Sequence, residues 1–285
     1  MSTSEIIMAN NFNQAPLPFV GQKRFFLKHF ISVLQEAIPD KGSGWTIVDV
    51  FGGSGLLAHH AKKTRPAARV IYNDFDGYTE RLKHIDDTNQ LRRKLAELTA
   101  DIPRYQRLSE SKKNEVINII RSFKGFIDIR VLNTWLMFGT KQESSIERIF
   151  QQCMYNCIRT SDYPDVRGYL NGVDIVSESF SILMPKYVHN AKTLFILDPP
   201  YVSTMQGSYK QSGYFGMIEF LKLMELVRPP FIFFSSTRSE FIEYLKFLID
   251  GKCNHYERFT DYKRISISAN MSKNVSYEDN MIYKI

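Results

Sequence analysis

Apolar positions follow two alternating patterns on the flanks of this 285-residue chain and a single pattern in its middle. Short β-type runs at Thr46–Val48, Arg69–Tyr72, Gly168–Val173, Thr193–Leu197 and Pro230–Ser235 are separated by helical stretches. Those stretches include Leu56–Lys63, Tyr214–Val227 and Arg238–Ile249. Two late strands, near Cys253–Thr260 and Asn280–Lys284, are expected to pair antiparallel. Between 77 and 165 the pattern is almost wholly helical. Val116, Ile117, Ile120 and Phe123 form one stripe, and Ile146, Ile149, Phe150, Cys153, Met154 and Cys157 form another within Ser144–Ile158. Strand and helix in alternation predict an α/β fold with a doubly wound, mainly parallel sheet and an antiparallel late strand. Residues 1–76 and 166–285 then make one domain, and 77–165 a helical insert.

Composition narrows the class. A hydrophobic content of 44% is ordinary for a globular chain, and no 18-residue apolar span is present. Met1–Gln14 is polar and lacks the basic-then-apolar plan of an export signal, so a cytoplasmic location is expected, with no membrane contact. Cys153, Cys157 and Cys253 do not change that expectation; Cys153 and Cys157 lie four apart on an apolar face, which favours buried free thiols over a disulfide or metal site. The net charge of +7 and pI near 9.1 suit a polyanionic partner. From Gly77 to Arg148 there are 14 Lys and Arg against 10 Asp and Glu, and from Lys252 to Asn274 there are 5 against 2. Each run alone reads as a solvated face. Together they sit on the insert and near the closing hairpin, where phosphates would be held.

Candidate chemistry collects at strand ends. The run Thr193–Leu197 delivers Asp198-Pro199-Pro200-Tyr201, a carboxylate, two rigid imides and an aromatic ring, which together suit a flat, amine-bearing ring. The plain alternative is a tight turn with Tyr201 covering the sheet edge. Behind Thr46–Val48 stands Asp49-Val50-Phe51-Gly52-Gly53-Ser54-Gly55, which reads either as a cofactor loop or as an ordinary strand-to-helix turn. Asp74 follows the next strand about 20 residues on, where a carboxylate can accept both hydroxyls of a ribose. Dinucleotide enzymes share that device. Asp174, at the end of the Gly168–Val173 run, either accepts from a cofactor adenine or caps the helix expected near Ser177.

With Pro18-Phe19-Val20-Gly21-Gln22-Lys23 near the start and Arg264-Ile265-Ser266-Ile267-Ser268-Ala269-Asn270 followed by Glu278–Tyr283 near the end, these motifs appear in a familiar order. The chain resembles the Dam-type S-adenosylmethionine-dependent DNA adenine methyltransferases. The resemblance implies a Rossmann-like class I methyltransferase fold with a target-recognition insert, S-adenosylmethionine as cofactor with S-adenosylhomocysteine as product, and no metal. Double-stranded DNA is the implied partner. It assigns catalysis to Asp198, Pro199, Pro200 and Tyr201. Asp198 and the Pro199 carbonyl accept the two N–H groups of the adenine amine, and Tyr201 stacks on a base flipped out of the duplex. It places Gly53 and Gly55 under the methionine portion and Asp74 at the ribose. Phe19, Lys23, Phe51 and Asp49 fall near the methionine end, and Asp174 near the cofactor's adenine. One cofactor and one flipped base require only a monomer, and the group admits a companion restriction enzyme or a phage origin.

The insert departs from that group. Where the group has a Gly- and Asn-rich stretch around its base-reading residues, this chain has Val131-Leu132-Asn133-Thr134-Trp135-Leu136-Met137-Phe138-Gly139, so the resemblance does not by itself imply GATC recognition and marks no residue as a base reader. Three alternatives stand beside DNA adenine methylation: an RNA methyltransferase acting on an exocyclic amine, a cytosine amino-methyltransferase, and a non-catalytic nucleic-acid-binding module. The last predicts a spoiled carboxylate or glycine loop, and both are intact.

Overall fold

The strands are β1 (Thr46–Asp49), β2 (Arg69–Asn73), β3 (Asp174–Val176), β4 (Thr193–Leu197), β5 (Phe231–Ser236), β6 (Lys263–Ser272) and β7 (Val275–Lys284). They form one seven-stranded sheet in the order β3-β2-β1-β4-β5-β7-β6. This is a computed structural model, and it describes residues 12–139, 142–202, 215–237, 239–272 and 275–285, without the side chains of 269–277. Pairing is parallel from β3 through β5 and antiparallel at β5–β7 and β7–β6. β4 (Thr-Leu-Phe-Ile-Leu) and β5 (Phe-Ile-Phe-Phe-Ser-Ser) are buried at every position. Parallel strands covered on both faces carry such unbroken apolar runs.

The helices are α1 (Leu27–Ala37), α2 (Leu56–Thr64), α3 (Tyr78–Lys83), α4 (Ile85–Leu98), α5 (Glu110–Ser122), α6 (Ile129–Leu136), α7 (Ile146–Gln151), α8 (Phe180–Leu183), α9 (Met217–Leu226) and α10 (Phe241–Asp250). Side chains alternate across the sheet, so each strand feeds two cores. Ile47, Tyr72, Ile196, Phe234 and Met281 pack with α1 and α2 on one face. Val48, Phe195, Leu197, Phe233 and Ile282 pack with α8, α9 and α10 on the other. Truncating one of these fully buried residues to alanine would cost about 2–5 kcal/mol.

The chain divides into two compact units. The first holds the described parts of Met1–Gln14, Gln22–Asp76 and Gly168–Ile285, which include the sheet; the second is Ala15–Gly21 with Gly77–Arg167. The second unit is braced by polar contacts between its helices and loops. Arg81 Nε donates to Asp128 Oδ2 at 2.7 Å, while Asp128 Oδ1 caps α6 by accepting from the Arg130 and Val131 amides. Arg92 and Arg93 both grip Asp162. Asn89 and Tyr163 exchange hydrogen bonds between the Asn89 carboxamide and the Tyr163 backbone.

Four expectations are corrected. The run Gly168–Val173 is a series of turns, with left-handed glycines at 168 and 172, and the strand begins only at Asp174. Cys253–Thr260 is a loop with a short 3-10 turn at Tyr256–Arg258; the strand that pairs with β7 is β6, which begins at Lys263. Its alternation of Ile265 and Ile267 with polar residues is the period-2 signal. The helical face expected to run through Ile158 stops with α7 at Gln151. Beyond it the backbone is extended, so the period changes from 3.6 to 2, and Cys153 is exposed while Cys157 is half-buried. The helix expected at Tyr214–Val227 is α9, and the one expected at Arg238–Ile249 is α10. Tyr214, Arg238 and Met1–Asn11 lie outside the described residues.

Candidate active site at the strand ends

The chain lays down β1, β2 and β3 outward in one direction, then crosses back to place β4 on the other side of β1. Helices leave β1 and β4 in opposite directions there, which opens a crevice beyond their carboxyl ends. Period-2 alternation fills that level of one sheet face with polar groups. Asp74 lies two residues past Tyr72, Asp49 two past Ile47, Asp198 two past Ile196 and Ser236 two past Phe234; Asp279, on antiparallel β7, lies two before Met281. The apolar residue of each pair belongs to the same core.

The glycine loop is shaped by Tyr72 beneath it. A Cβ on Gly52 would stand 2.2 Å from the Tyr72 ring, so no other residue fits there. Gly55 precedes α2 with φ +73°, a left-handed conformation natural to glycine. The Tyr72 hydroxyl sits 2.8 Å from the Gly53 carbonyl and 3.1 Å from Asp74 Oδ1, bridging the loop and the acid after β2. Asn73 points to the other face. Its carboxamide donates to the Val50 and Glu178 carbonyls and accepts from the Glu178 amide, joining the ends of β1 and β2 to the segment after β3.

Asp49 is buried, and neither carboxylate oxygen has a hydrogen-bond partner. Burial first, and the nearby Asp198 charge second, push its carboxyl up to about 8. The folded state therefore binds this proton more tightly than the unfolded chain, whose carboxyl stays near 3.8. The resulting stabilisation is full below about pH 4 and is lost as pH rises through about 8. We expect Asp49→Asn to melt at least about 3 °C above the parent at pH 9 and to show no gain at pH 4. Calorimetric melting at the two pH values checks this. A parallel pH dependence in both proteins would mean that Asp49 is already ionised at neutral pH.

Asp198 follows β4 directly. Its Oδ2 lies 2.7 Å from Lys23 Nζ, with the Lys23 side chain 10% exposed and the Asp198 side chain 20% exposed. Lys23 stands just before the short turn that leads into α1, and its ammonium is 5.9 Å from the Phe234 ring centre. Burial raises the Asp198 carboxyl above the usual range; Lys23 pulls it back and Asp279 adds to the rise. Pro199 and Pro200 are buried, which fixes the backbone that leads to Tyr201. The Tyr201 phenol is hydrogen-bonded to the Ser236 side chain and, because of burial above all, ionises later than a free tyrosine.

The other residues marked in the sequence make contacts of their own. Phe51 packs against Phe180 and Phe215, each at 5.7 Å between ring centres, on the second core. Phe19 belongs to the second unit, edge-on to Tyr78 at 5.8 Å with the Arg130 guanidinium 5.7 Å from its ring. Asp174 begins β3 instead of ending a strand, and there it is exposed and ion-paired to Arg69 at 2.7 Å. That is the amino end of the strand, away from the glycine loop. Among the described residues no group of three or more His, Cys, Asp or Glu is arranged to hold a metal ion, and no helix is long and apolar enough to cross a membrane.

A sheet of this order, a glycine loop after β1, an acid after β2 and Asp-Pro-Pro-Tyr after β4 define a Rossmann-like methyltransferase. The chain belongs to the D12 class N6 adenine-specific DNA methyltransferase family, whose sequence model matches residues 19–219. It is 54% identical over 280 residues to a candidate methyltransferase of Haemophilus influenzae (strain ATCC 51907 / DSM 11121 / KW20 / Rd), covering 97% of this chain and 95% of that protein. The crystal structure of a candidate rRNA methylase from Clostridium thermocellum is 12% identical and superposes with a TM-score of 0.36, covering 91% of this chain and 97% of that one.

Proposed function

We propose that this methyltransferase transfers a methyl group from S-adenosylmethionine to the exocyclic 6-amino group of adenine in DNA, with the base turned out of the duplex. The observation that carries the reading is the Asp198 carboxylate. It stands at the end of a central strand and is held by Lys23 through one oxygen, with two buried prolines and Tyr201 beside it.

The residues present fit the cofactor. Asp49 offers a buried acid group whose oxygens lack a hydrogen-bond partner; burial favours its protonated form, and an ammonium group beside it would favour the carboxylate. The Gly52–Gly55 loop leaves bare backbone beside it, and Asp74, anchored by Tyr72, stands where a ribose diol would be accepted. Bound S-adenosylmethionine supplies a methyl group made electrophilic by its sulfonium charge. Asp198 and the Pro199 carbonyl accept the two N–H groups of the amine. This draws the nitrogen lone pair out of conjugation with the ring and aims it. As nitrogen gains its methyl group it sheds one proton, which the Asp198 carboxylate is placed to take. Tyr201 stacks on the base, returning about 1–3 kcal/mol of the cost of unstacking it.

A face of the second unit supports a nucleic-acid substrate. Residues 105–108 pair antiparallel with 154–156. Leu108, Met154 and Asn156 point inward and are buried, so Tyr105, Arg107 and Tyr155 point outward by alternation. Phe138 lies 5.3 Å from Tyr155 and is 60% exposed, and Tyr105 is 59% exposed with the Arg104 guanidinium 5.1 Å from its ring. Exposed rings among arginines suit bases and phosphates.

The test is incubation of the purified protein with labelled S-adenosylmethionine and either duplex DNA or total RNA, followed by nucleoside analysis. Label in N6-methyladenine from DNA supports the reading. Label confined to RNA or to cytosine, or none at all, overturns it.

A further inference from the structure

Asp279 lies in the closing segment Glu278–Tyr283, to which the resemblance assigns no role, yet the sheet register brings it to the site. β5 and β7 pair Phe234 with Met281 and Ser236 with Asp279. Directly opposed residues in an antiparallel pair project to the same face, about 5 Å apart at Cβ. Ser236 reaches the Tyr201 phenol on that face, and Phe234, one step below, lies beside the Lys23 ammonium. Asp279 therefore projects toward the group of Lys23, Asp198 and Tyr201, and its charge is felt at both Asp198 and Tyr201.

An acid there is costly if it does nothing else. It makes Asp198 harder to ionise, and an ionised Asp198 is what an amine donor needs. Lys23 resolves the conflict, because an ammonium carries three N–H donors and can serve two carboxylates. We propose that Asp279 is a positioning residue for Asp198: the two acids hold the Lys23 ammonium between them, so that Lys23 engages one oxygen of Asp198 and leaves the other to the substrate amine. Without Asp279 the ammonium settles wholly on Asp198 and competes with the base. This role rests on the proposed transfer to an exocyclic amine.

Among the described residues, the charged and titratable groups facing Asp198 are Lys23 just before the turn into α1, Asp49 from β1, Asp279 from β7 and Tyr201 from its own loop. The experiment compares kcat against pH for the parent, Asp279→Asn, Lys23→Met and the double variant. Asp279→Asn should move the acid limb down by up to about one pH unit, and Lys23→Met should move it up. Asp279→Asn should also lower the plateau about tenfold with Lys23 present, and leave it unchanged in the Lys23→Met background. An unmoved or rising limb, or the same plateau loss in both backgrounds, overturns the proposal. Carbon NMR titration of labelled aspartate carboxyls, with Asp198→Asn to assign the signal, reads Asp198 without turnover. If the parent methylates nothing, the substrate reading fails, while a downward shift of the Asp198 titration in Asp279→Asn still supports the link between the acids. An unshifted titration overturns it.

Discussion

Asp198→Ala is expected to bind S-adenosylmethionine with nearly unchanged affinity and to lose methyl transfer about a thousandfold or more in kcat. The carboxylate lies at the end of β4, where its proposed role is to hold the amine, and the residues proposed for the cofactor come from β1, the glycine loop and the end of β2. Alanine also leaves the Lys23 ammonium largely buried without this partner, so the melting temperature must be followed alongside activity. Asp198→Asn supplies the comparison. It keeps the shape and one acceptor oxygen but cannot take a proton, so it should retain more activity than alanine and far less than the parent. Single-turnover rates with bound cofactor separate the two steps, and a normal rate in the alanine protein would remove Asp198 from the chemistry.

Asp74→Ala should act on the other half of the reaction. A carboxylate that accepts hydroxyls in a buried site contributes about 1.5–3 kcal/mol, so cofactor affinity should fall by roughly 10- to 150-fold while kcat at saturation changes little. The Tyr72 hydroxyl orients Asp74 at 3.1 Å, so Tyr72→Phe should show a smaller loss of the same kind, about fivefold. Calorimetric titration of S-adenosylmethionine into each protein measures both. Unchanged affinity in Asp74→Ala would take the ribose away from this residue.

The central strands were legible because their physics is local. Thr46–Val48, Arg69–Tyr72 and Thr193–Leu197 are short apolar runs ending in polar or glycine signals, and each is a strand. The sheet is mainly parallel with antiparallel strands last, as the alternation of elements predicted. What failed were places where one period gives way to another or where glycine intervenes. Gly168 and Gly172 take left-handed conformations that turn an apparent strand into turns, which shifts Asp174 to the opposite end of β3. Past Gln151 the apolar spacing fits both a helix and an extended chain, and pairing with 105–108 selects the second. The strand-end positions of Asp74 and Asp198 could be read because each directly follows its strand. Asp279, Ser236 and Tyr72 could not, because their relevance comes from cross-strand register and from the space under Gly52, and no local pattern encodes either.

Asn73 has a consequence for how the crevice behaves when the chain breathes. Its carboxamide uses both donors and its acceptor on Val50 and Glu178, so three separate strand ends are stitched by one side chain. None of them can fray without exposing polar atoms on the others, and local opening there becomes a single cooperative event. The floor of the crevice is thus a stiff template, and its backbone amides should exchange with solvent hydrogen together and slowly.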